Sequence, residues 1–271
     1  MNKQSSRGGS PCYLSTNRNG TYLFVANYQD GTVAQFPIDT RNGYLNTPVG
    51  FDQQIGSSIN PDRQQSSHAH CILLDKKEEN LLSANLGSDQ FYKYRFQSKN
   101  NALQRLTISK TSKAGDGPRH LVFNSNQKYV FAANELHSTI TVYRYLSYLQ
   151  PIRTVSTIPS NFTGVNYPAE IIFHPKNKKF LYASNRGHDS IVVFHVNHQT
   201  GYLKLIQHIH TQGQTPRNFN ISPNGKYLIV ANQNSNNLVV FSIDSRTGKL
   251  TATGSTAQIS KPTCIKFLSI V

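Results

Sequence analysis

Six residues of this chain combine reactive chemistry with a regular position: His70, Arg119, Glu135, Glu170, Arg186 and Arg217. Glutamate and histidine can take or give a proton near neutral pH. Arginine, permanently charged, binds a carboxylate, a phosphate or an oxyanion through paired N–H groups. Together they suit acid–base chemistry on an anion. Spacing is what joins them. The chain repeats Ala-Asn or Ser-Asn at Asn27, Asn85, Asn134, Asn185 and Asn232. Fifteen residues before these stand Cys12, His70, Arg119, Glu170 and Arg217; one residue after them stand Tyr28, Leu86, Glu135, Arg186 and Gln233. An ion pair between copies used only for structure would recur in every copy, whereas these residues change from copy to copy.

The stretch from Gly117 to Glu135, GPRHLVFNSNQKYVFAANE, shows how such residues would be positioned. Two apolar runs, Leu121 to Phe123 and Tyr129 to Ala133, are separated by the polar turn Asn124 to Lys128, the pattern of a β-hairpin. A hairpin returns the chain to its start, so residues 119 and 135 share one end. The asparagines are spaced by 58, 49, 51 and 47 residues. A period of about 50 with several short strands is that of a β-propeller. The copy after Asn218 reads strand (to Ile221), turn (Ser222 to Gly225), strand (Tyr227 to Ala231), turn (Asn234 to Asn237), strand (Leu238 to Ile243), turn (Asp244 to Gly248) and a fourth strand from Lys249. Gly43, Gly201 and Gly248 each follow the repeat asparagine by sixteen residues, where a tight hairpin wants positive φ.

The expected fold is therefore all-β: a β-propeller of five four-stranded antiparallel blades plus one extra inner strand, incomplete beside a seven-bladed ring. Residues 1–9 read as a flexible stub and 10–271 as a single propeller domain, with repeats at 10–66, 67–116, 117–165, 166–214 and 215–260 and a partial one at 261–271. Gly56 to Gln65 is a polar insertion that lengthens the first copy. Equivalent positions of successive blades ring the central channel, so the six residues should converge at one mouth.

Composition narrows the partners. One Met, no Trp and a net charge of +15 spread along the chain describe a basic β protein without a concentrated basic run. No basic segment is interleaved with aromatics, which argues against nucleic acid. No apolar stretch reaches the roughly 18 residues of a membrane helix, and MNKQSSRGGS lacks the centre of a signal peptide, so no membrane partner and a cytoplasmic location are expected. Cys12, Cys71 and Cys264 are odd in number and read as free, buried thiols. His68 and His70 would share a strand face and could form a metal pair, but the equivalent neighbouring positions hold Cys12 and Arg119 and supply no third ligand, so no metal is expected. His188, His195, His198, His208 and His210 fall on turns or later strands, as surface or packing residues.

SHAH (67–70), GPRH (117–120), NEL (134–136), AEI (169–171), SNRGHDS (184–190), TPRNF (215–219) and VANQ (230–233) together resemble the lactonase family of seven-bladed propellers, which includes propeller-type 6-phosphogluconolactonases and the muconate lactonizing enzymes. The resemblance implies a catalytic set of His70, Arg119, Glu135 and Arg186, with Glu170, Arg217 and His68 contacting substrate and no cofactor. It implies a small anionic substrate, a phosphorylated sugar lactone or a carboxylated lactone. Family members carry about one and a half further blades ahead of the motif that reads SPCYLS here, which leaves unpaired blade edges open to self-association. The expected activity is metal-independent hydrolysis of an anionic sugar lactone. Glu135 or His70 would be the base, and Arg119 and Arg186 would hold the oxyanion or clamp the anionic group. A muconate-type cycloisomerase uses the same groups on a diacid, and a non-catalytic binding platform is the third reading.

Overall fold

The computed structural model describes residues 2–96 and 103–268. All regular structure among them is strand. The first sheet holds β1 (Pro11–Thr16), β2 (Tyr22–Asn27), β3 (Thr32–Asp39), β4 (Tyr44–Leu45) and β5 (Gly50–Gln53). The second holds β6 (Ala69–Leu74), β7 (Asn80–Asn85), β8 (Gln90–Arg95) and β9 (Gln104–Lys110). The third holds β10 (Pro118–Phe123), β11 (Tyr129–Asn134), β12 (Thr139–Tyr145) and β13 (Leu149–Ser156). The fourth holds β14 (Tyr167–Phe173), β15 (Phe180–Arg186), β16 (Ser190–Val196) and β17 (Leu203–His210); the fifth holds β18 (Pro216–Ile221), β19 (Tyr227–Asn232), β20 (Asn237–Ile243) and β21 (Leu250–Gln258). Strands pair in chain order within each sheet, the arrangement of a blade. In the first sheet the outermost position is split. The long β3 pairs β4 at one end and β5 at the other, because the intervening Asn46-Thr47-Pro48 includes a residue with no N–H to give to a ladder.

Burial explains the strand sequences. The second strand β11, YVFAAN, is buried throughout and is apolar or small except for its closing asparagine. Fourth strands such as β21 are largely exposed and carry Thr, Ser, Ala and Gln. The chain divides into two compact units, residues 1–121 with 144–151 and residues 122–143 with 152–271, a division the repeat does not announce. In the first unit Phe24, Ala26 and Val33 pack on Ala69, Ile72, Leu81, Tyr92 and Tyr94. In the second, Phe131 and Val142 meet Phe173, Leu181 and Phe194, with the Phe131 and Phe173 rings edge-on at 5.3 Å. Tyr182, Ile191 and Val193 meet Phe219, Val230 and Phe241. Each of the fully buried Val, Leu, Ile and Phe side chains contributes about 2 kcal/mol.

The repeat asparagines are architectural. All five are fully buried. Asn185 donates to Thr157 O at 2.8 Å and Ser190 Oγ at 3.2 Å and accepts from Asn166 Nδ2 at 3.1 Å, which ties its strand end to neighbouring segments. Gly43, Gly201 and Gly248 have φ of 72°, 75° and 74°, as the final turn requires.

Three expectations differ. The extra inner strand does not form: residues 261–268 join no ladder, and the segment is held instead by side chains, with Ile265 N donating to Asn218 Oδ1 (2.8 Å) and Asn220 Nδ2 donating to Ile265 O (3.0 Å). Residues 2–9, read as a flexible stub, are tied down by Asn2 to both backbone groups of Leu45, by Asn27 Nδ2 to Ser6 O and by Gly9 N to Asp30. The three cysteines are free, but only Cys71 is buried; Cys12 is half-buried and Cys264 exposed.

Candidate active site

The first hairpin of a sheet carries a β-bulge at its start. Pro11 faces Asn27 but Tyr13 faces Ala26; Ala69 faces Asn85 but Cys71 faces Ala84; Pro216 faces Asn232 but Asn218 faces Ala231. Cys12, His70 and Arg217 are the extra residues. Between Pro168–Asn185 and Ile171–Ala183 the surplus falls at Ala169 and Glu170. A bulge breaks the two-residue alternation and re-aims a side chain, and Cys12, His70 and Arg217, each fifteen residues before a repeat asparagine, are the ones it re-aims.

In the first unit, His70 and Arg119 are both buried. Arg119 Nη1 lies 3.2 Å from His120 Nε2. A guanidinium only donates, so His120 accepts there and carries its hydrogen on Nδ1. The His120 ring stands edge-on to His70 (5.2 Å) and to Tyr13 (5.0 Å). His70 in turn meets Tyr28 edge-on at 5.5 Å, and Tyr28 stacks on His68 at 4.5 Å. His68 Nδ1 donates to Tyr28 O at 2.8 Å. His68 precedes β6, and the two histidines of SHAH meet Tyr28, one stacked and one edge-on. Among the described residues no three His, Cys, Asp or Glu side chains gather as metal ligands would.

In the second unit, Arg186 Nη2 and Glu135 Oε2 form an ion pair at 2.7 Å, with side chains 13% and 4% exposed. Arg186 is braced by Nε donating to Tyr167 O at 3.1 Å and lies 5.8 Å from the Tyr167 ring centroid. Glu170 is held by Ile171 N at 3.0 Å and by Asn218 Nδ2. The residues that follow Asn134 and Asn185, Glu135 and Arg186, therefore meet each other, and Glu170 meets the tail-holding Asn218. Among the secondary histidines, burial pushes His188 and His208 below the usual imidazole range, with His210 adding to the effect on His188 and Asp189 opposing it. Their rings are 6.0 Å apart, and His208 Nε2 donates to Thr157 O.

Comparison with known proteins decides the family. The profile of the lactonase family, described as a seven-bladed β-propeller, matches residues 1–267. The chain belongs to the lactonase family of seven-bladed β-propellers. It is similar to the 6-phosphogluconolactonase of Bacillus subtilis, 33% identical over 99% of this chain and 76% of the relative. It is similar to the 6-phosphogluconolactonase of Formosa agariphila, 37% identical over 83% of this chain and 64% of the relative. The structure of the periplasmic gluconolactonase of Pseudomonas aeruginosa superposes with a TM-score of 0.89 at 30% identity, covering 96% of this chain and 74% of that one. The chain thus spans about two thirds to three quarters of the length of these lactonases. The fold class is that of the family, an all-β propeller whose described residues form five sheets.

Within the lactonase fold, two contributors went unseen in the sequence. His120 follows Arg119, and strand alternation would send it to the opposite face, yet the two side chains touch. Tyr28 holds the position that Glu135 and Arg186 hold in their copies, and that equivalence was the signal available for it.

Proposed function

We propose that the chain hydrolyses an anionic sugar lactone, in the first place a phosphorylated gluconolactone, without a metal. The observation that carries this reading is the buried pair of Glu135 and Arg186 at 2.7 Å, in a chain whose named relatives are gluconolactonases. Lactone opening needs a base for the attacking water and donors for the oxyanion that the acyl oxygen becomes. Glu135, presented as a carboxylate, accepts the water proton as the new C–O bond forms. Arg186 fixes that carboxylate and donates to the oxyanion. When the ring C–O bond breaks, the leaving alkoxide takes the proton back from Glu135. The family resemblance adds His70 and Arg119 to the catalytic set. Glu170, Arg217 and His68 contact the substrate. The names of the relatives favour hydrolysis over cycloisomerisation. We also keep a cytoplasmic location within the proposal: three free thiols suit a reducing compartment, and no helix among the described residues is long and apolar enough to cross a membrane.

The test is proton release from 6-phosphoglucono-δ-lactone and from glucono-δ-lactone, with a chelator present, above the spontaneous rate. The proposal expects acceleration that the chelator leaves intact. No acceleration of either lactone would refute it.

A further inference from the structure

The first repeat is the longest, and its extra residues are built rather than loose. Two fully buried glutamines pin the insertion at its ends. Gln54 Nε2 donates to Ser83 Oγ and Tyr94 Oη, both at 2.9 Å, and its Oε1 accepts from Asn85. Gln64 Nε2 donates to Leu86 O at 2.8 Å. Between them Asn60 Oδ1 accepts from the backbone N–H groups of Asp62 and Arg63, each at 3.0 Å, and Ser58 Oγ reaches Asp89. This frame fixes the backbone that presents Arg63, whose Nη2 donates to Tyr28 Oη at 3.2 Å.

Tyr28 is the residue that the repeat puts in the place of Glu135 and Arg186, directly after a buried asparagine. Its ring already touches the imidazoles of His68 and His70. Because Arg63 donates to the phenol oxygen, that oxygen acts as acceptor and its own hydrogen is left to donate elsewhere. A guanidinium beside a phenol O–H, next to the His70 cluster, is a receptor for a doubly charged oxygen-rich group, for which Arg is better shaped than Lys.

We propose that Arg63 and Tyr28 recognise the phosphoryl group of the substrate and set the preference for a phosphorylated over an unphosphorylated sugar lactone. This rests on the lactonase reading above and names the part of the substrate that the first repeat's insertion serves. A latch that merely holds the insertion would weaken both lactones alike.

The experiment compares wild type, Arg63→Gln, Arg63→Lys and Tyr28→Phe in two assays. The first is kcat/KM for 6-phosphoglucono-δ-lactone relative to glucono-δ-lactone. The proposal expects that ratio to fall at least tenfold in Arg63→Gln, with Arg63→Lys between it and wild type. In Tyr28→Phe, which keeps the ring and its stacking on His68, the fall is smaller. The second is calorimetric binding of the products 6-phosphogluconate and gluconate, which reads the same contact without turnover. An unchanged ratio, or equal losses on both lactones, would overturn the proposal. If wild type hydrolyses neither lactone, the lactonase reading fails and calorimetry decides alone. At least tenfold weaker 6-phosphogluconate binding in Arg63→Gln would sustain the anion site; no binding by wild type, or equal binding by both, would end it.

Discussion

Replacing each repeat asparagine by alanine should destabilise the chain in an order set by its hydrogen bonds. Asn85 makes four: to Gln54 Oε1 and Ser67 Oγ as donor, and from His68 N and Ser88 N as acceptor. Asn185 makes three, and each partner keeps another contact: Thr157 O retains His208, Ser190 Oγ retains His188, and Asn166 Nδ2 retains Ser138. Asn27 and Asn134 each make two, and Asn232 makes one, to Thr211 O. In these last three the buried side-chain oxygen has no partner among the described residues, so alanine also removes an unmet acceptor. At about 1 kcal/mol per net bond, the losses are about 4 kcal/mol for Asn85→Ala and about 3 for Asn185→Ala. They are about 1 to 2 for Asn27→Ala and Asn134→Ala, and under about 1 for Asn232→Ala. For a chain of this size 1 kcal/mol moves the midpoint by about 2–4 °C, so Asn85→Ala should melt about 8–16 °C below wild type and Asn232→Ala within about 4 °C of it. Differential scanning calorimetry on the five variants measures this. Five equal shifts would mean that the asparagines act through generic turn preference, and the argument from individual bonds would be refuted.

Acid should weaken the fold. Burial holds His174, His188, His198 and His208 below the ordinary imidazole value of 6.5, so between the folded and unfolded values the unfolded chain binds more protons. Stability then falls as pH drops through and below 6.5, and melting temperatures measured from about pH 7 to about pH 5 should decline; a flat or rising profile contradicts the burial of these rings. Gly225→Ala should cost about 1–3 kcal/mol, since φ is 76° and the new methyl would sit 2.5 Å from the His174 ring, whose Nε2 donates to Gly225 O. Gly20→Ala, at φ 64° with open space around it, should cost only about 1 kcal/mol, and chemical denaturation of the two variants checks the difference.

The five sheets were legible because every copy repeats a buried asparagine at the end of the second strand, and three of them, at Gly43, Gly201 and Gly248, add a glycine at positive φ before the fourth. Where a local feature broke the copy, the sequence misled. Pro48 splits the outer strand of the first sheet, and nothing in the spacing separates a split strand from a whole one. Residues 261–267 copy the start of a repeat, yet Asn218 and Asn220 bind Ile265 through side-chain amides, so resemblance of sequence did not become a ladder. Counting fifteen residues found His70, Glu170 and Arg217, but period-two reasoning could not foresee that they sit in bulges. The same blindness hid His120, whose contact with Arg119 depends on side-chain directions that alternation does not predict. Position alone brought Glu135 and Arg186 to one rim, whereas their pairing, its distance and its burial needed coordinates.

The claim that this lactonase-family chain works through the buried Glu135 is tested most directly by kcat of Glu135→Gln on 6-phosphoglucono-δ-lactone, corrected for spontaneous opening and measured where the variant is folded. Gln keeps the shape and an oxygen facing Arg186 but cannot take the water proton. The account predicts a fall in kcat of about 10²- to 10⁴-fold with KM changed far less. A kcat equal to that of wild type would contradict it.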